Sequence, residues 1–155
     1  MKKFELTAES KINIFGNKLF RIKALLDFSA VKSGELGGWI EKEENLDQSG
    51  AAWVYGAAEV SGDARVSGDA EVYGDARVYG DADILHITGL GTVHRTTTVF
   101  RTKNNSLKIK CGCFRGTPEE FVKQVKETRK GKVREEYLKF AELIDIYFGE
   151  DNENE

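Results

Sequence analysis

Long apolar runs are missing from this 155-residue sequence. Nothing approaches the roughly 18 consecutive apolar residues of a membrane-spanning helix, so no membrane role is expected. The start, Met1-Lys2-Lys3-Phe4-Glu5-Leu6, has two lysines with no apolar stretch behind them, and no secretion signal is read there. Cysteine is scarce as well: Cys111 and Cys113 are the only two, and in the cytoplasm they are expected to stay reduced. Histidine is limited to His86 and His94, which confines imidazole chemistry to two positions. The length suits one compact body with appendages rather than two full domains.

Charge is present in quantity, but it is segregated. From Glu35 to Asp83 twelve Asp and Glu stand against three Lys and Arg; from Arg95 to Arg134 twelve Lys and Arg stand against three Glu. The last six residues, Glu150 to Glu155, turn acidic again and read as a frayed, solvated tail. A basic segment of this kind meets either phosphates or the acidic segment of a neighbouring subunit.

Repetition is the strongest positive feature. From Ser49 the chain reads SGAAWV, YGAAEV, SGDARV, SGDAEV, YGDARV and YGDADI. One column is aliphatic (Val54, Val60, Val66, Val72, Val78, Ile84), one is alanine from Ala52 to Ala82, and one is glycine from Gly50 to Gly80. A six-residue period smears around an α-helix and is too short for a flat antiparallel sheet. It suits a coil with three short faces, where glycine takes the corners. Three hexads then make an 18-residue turn that stacks Val54 over Val72 and Leu90, Val60 over Val78, and Val66 over Ile84. Outward, Glu59 meets Arg77 and Arg65 meets Asp83, whereas Asp63 over Asp81 is a like-charge pair. About three coils are expected across residues 37–90, with open ends that need covers.

The flanks supply those covers. Lys11 to Ile22 reads as a β-hairpin turning at Gly16-Asn17. His94 to Phe114 reads as a second, turning at Asn104-Asn105, which would set Phe100 opposite Ile109 and Thr98 opposite Cys111. Thr117-Pro118-Glu119-Glu120 is a helix start, giving one helix to about Lys130 and a second from Val133 to Phe148. The expected divisions are an N-terminal cap at 1–36, the coil at 37–90, a hairpin and helical module at 91–149, and the tail at 150–155.

The hexads resemble the hexapeptide-repeat parallel β-helix family. The resemblance implies a mainly β fold: a short three-sided parallel β-helix, left-handed by preference, with an N-terminal hairpin, a C-terminal hairpin and two α-helices. That family includes acyl- and nucleotidyltransferases and generally forms trimers, so a homo-oligomer, with a trimer favoured, is implied. The filament-forming bacterial proteins that use short β-helices keep a filament scaffold open as an alternative. Gly37-Gly38-Trp39-Ile40-Glu41, Glu43-Glu44-Asn45-Leu46 and Cys111-Gly112-Cys113-Phe114-Arg115-Gly116-Thr117 look like the flanks of small phage and prophage proteins that carry such hexads. This second resemblance implies a viral protein in the cytoplasm of a bacterial host, with a host protein as partner.

The candidate sites follow. As acyltransferase general bases only His86 and His94 are available. Arg95, Thr97, Arg101, Lys108, Lys110 and Arg115 make a basic face for a nucleotide or other phosphate ligand, although stacking aromatics are few there. Trp39, Trp53, Tyr55, Tyr73 and Tyr79 form an aromatic strip suited to a protein interface. Cys111, Cys113 and His94 share a face in the expected register, but a C-x-C in a strand is poor zinc spacing, and no metal or cofactor is expected. The acidic column Asp63, Asp69, Asp75 and Asp81 is either corner chemistry or an imitation of duplex phosphates. The leading expectation is a non-enzymatic binding protein that engages or sequesters a host factor, an inhibitor of host defence being the lead variant; a nucleotide sponge and an acyltransferase are the alternatives.

Overall fold

The computed structural model describes residues 1–149, and the acidic tail lies outside the described residues. In chain order the strands are β1 Phe4–Ile12, β2 Lys18–Ala24, β3 Leu36–Ile40, β4 Trp53–Val54, β5 Glu59–Val60, β6 Glu71–Val72 and β7 Arg77–Val78. They continue with β8 Ile84–Leu90, β9 Arg95–Arg101, β10 Leu107–Cys111 and β11 Phe114–Gly116, followed by helices α1 Pro118–Thr128 and α2 Gly131–Phe148.

The mainly β, three-sided parallel β-helix expected across residues 37–90 is not what forms. The chain is mixed α/β, with its strands in three separate sheets. One is a five-stranded mixed sheet ordered β1-β2-β3-β5-β7, one a parallel pair β4-β6, and one a four-stranded antiparallel sheet β11-β10-β9-β8. Four of the six hexads contribute a two-residue strand each. Residues 18 apart do pair in parallel, as Trp53 with Glu71 and Glu59 with Arg77. Along the remaining direction the pairing shrinks to a single bridge between Leu46 and Val66. Beyond Gly80 it stops: Leu90, expected over Val72, lies opposite Arg95 in an antiparallel pair.

The cause is local. Gly50, Gly56, Gly62, Gly68 and Gly74 turn their corners with φ between 56° and 74°, a conformation that side chains resist. Gly80 is extended at φ −169°, and the following Leu85-His86-Ile87-Thr88 holds no corner residue. The chain therefore stays in one long strand and folds back on β9. The expected pair of Arg65 with Asp83 is lost as a result: Arg65 lies 3.9 Å from Asp47, and Asp83 pairs with Arg101 at 3.3 Å.

The column alanines Ala52, Ala58, Ala64, Ala70 and Ala76 and the valines from Val54 to Val78 are all buried. Phe4, Ile22, Ala24, Val31 and Trp53 extend this core from the N-terminal side, with Phe28 edge-on to Trp53 at 5.2 Å. Lys3 closes the same region by donating from Nζ to the carbonyls of Ala52 (2.7 Å) and Gly50 (3.3 Å). From the C-terminal side Phe100 enters the core, edge-on to Tyr73 at 5.1 Å. There Glu71 N donates to Thr98 Oγ1 and Lys103 N to the Asp75 carbonyl.

Both hairpins depart from expectation. The first turns through the longer loop Asn13–Asn17, where Gly16 alone has positive φ. The second is slipped by one residue: Ile109 lies opposite Val99, and Cys111 opposite Thr97. Its loop spans Lys103–Asn105, with Asn105 at φ 60°, rather than two residues. A one-residue slip exchanges the faces of a strand. Phe100 accordingly points into the hexad core, while Val99, Ile109 and Cys111 pack against Phe121, Val125, Tyr137, Phe140, Ile144 and Phe148 of the helices. α1 starts on a capping box, Thr117 Oγ1 accepting from Glu120 N and the Glu120 carboxylate accepting from Thr117 N at 2.9 Å.

Candidate binding clefts

The acidic hexads and the basic hairpin find each other within one chain. Lys110 Nζ lies 3.4 Å from Glu71 and donates to the Gly112 carbonyl. Arg101 pairs with Asp83, donates to the Phe148 carbonyl at 3.1 Å and stacks on the Phe148 ring. Arg115 lies over the Tyr73 ring at 5.0 Å, and Lys108 is half-buried. Thr97 has no exposed surface and donates its hydroxyl to Cys111 Sγ at 3.2 Å. The six residues expected to form one basic face are thus divided among separate surroundings, and Thr97 is inside the sheet–helix core.

The aromatic strip is also redistributed. Trp53 is core, 1 % exposed, between Phe4 and Phe28. Tyr55 and Tyr73 are half-buried against that core, and burial raises both phenols above their ordinary value. Trp39 is roofed by Lys11 and Arg21, with the cations 4.6 and 5.4 Å from its ring. Tyr79 lines a cleft.

That cleft, about 560 Å³, lies between the Asn13–Asn17 loop, the β5–β7 face and the tip of the β9–β10 hairpin. Its rim carries Ile12, Ile14 and Phe15, which are 62 %, 82 % and 63 % exposed. Phe15 stands edge-on to Tyr79 at 4.8 Å. On the wall, buried Glu59 is held by Lys11 at 2.9 Å and Arg77 at 3.5 Å. Lys11, Arg77, Arg101 and Lys103 line the cleft against two carboxylates, Glu59 and Asp83, which leaves a cationic surplus. Burial, and secondarily Glu59, raises the Tyr79 phenol.

Asn13 lines the same cleft and organises its loop. Its Oδ1 accepts from Phe15 N and Asn17 N, both at 2.9 Å, which fixes the orientation of the amide. Nδ2 is left buried without an acceptor among the described residues. A buried donor of this kind costs roughly 1–3 kcal/mol. Sequence reasoning missed Ile12, Ile14 and Phe15 as surface because hydrophobic residues beside a hairpin turn read as strand core. The signal available was Asn13, whose side chain favours a loop over a tight turn.

A second cavity, about 260 Å³, opens between β9–β11 and the helices. Arg95 and Arg129 line it together with Phe114, Phe121 and Tyr137, whose rings stack edge-on in series at 5.4 and 5.6 Å. The Tyr137 phenol lies 3.8 Å from Cys111 Sγ and donates to the Leu90 carbonyl; burial, then the Cys111 thiol, pushes it up to about 12. Cys113, exposed, also reaches this cavity.

The two histidines sit apart from both clefts. His86 is half-buried near Gly68, and desolvation lowers its pKa. His94 is exposed in the β8–β9 turn at φ 53°, its Nδ1 2.9 Å from the Gly89 carbonyl. Cys111 is buried and Cys113 exposed, and among the described residues no three His, Cys, Asp or Glu side chains converge as metal ligands. No helix of the described residues is long and apolar enough to cross a membrane. No protein-family model matches the chain, and no curated protein matches its sequence.

Proposed function

We propose that the protein is a non-enzymatic binding module that engages a partner polypeptide through the cleft at the Asn13–Asn17 loop. One observation carries this reading: three large apolar side chains project together at the rim of the 560 Å³ cleft. Scattered exposed apolar residues are ordinary, but a cluster at a concave, polar-walled site is the anatomy of an interface. The cationic surplus and the unpartnered Asn13 amide favour a partner segment that presents apolar side chains beside a carboxylate. The flanking motifs' likeness to phage proteins supports a host bacterial protein as that partner, met in the host cytoplasm. The likeness of the hexads to the trimer-forming repeat family supports self-assembly of this chain, a trimer being favoured.

The phosphate-sponge reading has less support, since Arg101 and Lys110 are already neutralised by Asp83 and Glu71 and Thr97 is buried. Catalysis has less support too: His94 borders a cleft of about 300 Å³ shared with Asp69, Glu71, Arg95 and Lys110, but its Nδ1 is engaged by the Gly89 carbonyl, and His86 lies apart from that cleft. The test is affinity capture from bacterial lysate with wild type and with Ile14→Asp/Phe15→Ser, after both are shown to be folded by circular dichroism. A partner retained by wild type and lost by the variant is expected; equal capture by the two would overturn the assignment of the cleft.

A further inference from the structure

We propose that the cavity between β9–β11 and the helices is a second binding site, for a small aromatic oxyanion. The ligand's acidic group would sit between Arg95 and Arg129 and its ring against Phe114 and Phe121. The site is independent of the loop cleft and of the partner proposed there.

Three observations converge. The first is charge: Arg101 and Lys110 each lie within 4 Å of a carboxylate, whereas no such ion pair is formed by Arg95 or Arg129 among the described residues. Two guanidiniums facing one space offer paired N–H donors matched to a carboxylate or phosphate. The second is shape: about 260 Å³ accommodates a single ring with its acidic substituent and is small for a dinucleotide. The third is the floor, where Phe114 and Phe121 stand edge-on at 5.4 Å and offer π surface to a ring. The Arg95 guanidinium lies directly over Gly112, in the space that a Cβ there would take. The Gly112 corner, at φ 60°, thereby makes the room that the guanidinium occupies.

The test is titration calorimetry of the full chain with phenyl phosphate, benzoate, inorganic phosphate and phenol. Saturable binding of phenyl phosphate or benzoate is expected, at least tenfold tighter than phenol, and the stronger of the two acids identifies the preferred oxyanion. Arg129→Gln, at an exposed position just past α1, should weaken binding at least tenfold, while Lys126→Gln on the same helix leaves it unchanged. Bound ligand should also slow alkylation of Cys113 by a maleimide. No binding of either aromatic acid at millimolar concentration, or equal affinity in wild type and Arg129→Gln, would overturn the proposal. Loss of the partner in the loop-cleft variant would leave these titrations unaffected, so the two readings fail separately.

Discussion

At the scale of single residues, the glycine column is where sequence and conformation are most tightly joined. Gly56 and Gly62 both hold positive φ, near 60°, yet their surroundings differ. A Cβ on Gly56 would meet open space, while one on Gly62 would collide with the Tyr79 carbonyl. Gly56→Ala should cost roughly 1–2 kcal/mol from the left-handed backbone alone. Gly62→Ala should cost clearly more, and urea unfolding of the two variants would measure the difference. His86 gives a pH signature. Burial holds its pKa below the ordinary 6.5, so the folded state favours the neutral ring. The corresponding stability is complete above 6.5 and is lost as pH falls from there through the folded-state value. His86→Gln should flatten the decline in Tm between about pH 7 and pH 5; an unchanged slope would remove His86 as its source.

At the scale of elements, the hexads show what was legible. The alanine column as far as Ala76 and the aliphatic column marked buried residues, and the 18-residue spacing marked which strands run side by side. The end of the pattern was not legible, because it turns on Gly80 being extended where five equivalent glycines are not. A repeat alignment treats all six alike. The helix start at Thr117 was legible since its determinants are adjacent in sequence. The β9–β10 register was not, because Asn104-Asn105 serves a two-residue turn and the observed Lys103–Asn105 loop equally well. That slip decides which face of the sheet meets the hexads. Asn105 is the hinge of this outcome: Asn105→Gly should be neutral or stabilising, whereas Asn105→Val should lower Tm and broaden the amide spectrum of β9 and β10.

At the scale of the whole molecule, the charge segregation visible in the sequence is largely an internal matter. Glu71 with Lys110 and Asp83 with Arg101 tie the hexads to the hairpin that follows them. Both pairs are partly sheltered from water, so Glu71→Gln/Asp83→Asn should destabilise the chain more in low salt than in high salt; salt-independent loss would point to packing instead. The loop cleft was hidden from the sequence for a related reason. It draws on three distant stretches, around Phe15, Arg77 and Lys103, and no periodicity links them. What the fold leaves outward is therefore a short apolar rim with a polar wall, not the basic face or the aromatic strip.

The most direct measurement places a photo-reactive phenylalanine analogue at Phe15, and a control at Lys123 on the exposed side of α1, in protein expressed in bacterial cells. A discrete cross-linked partner from position 15 and none from position 123 is the expected result. The absence of any adduct at position 15, or the same adducts from both positions, would contradict binding through the Asn13–Asn17 cleft.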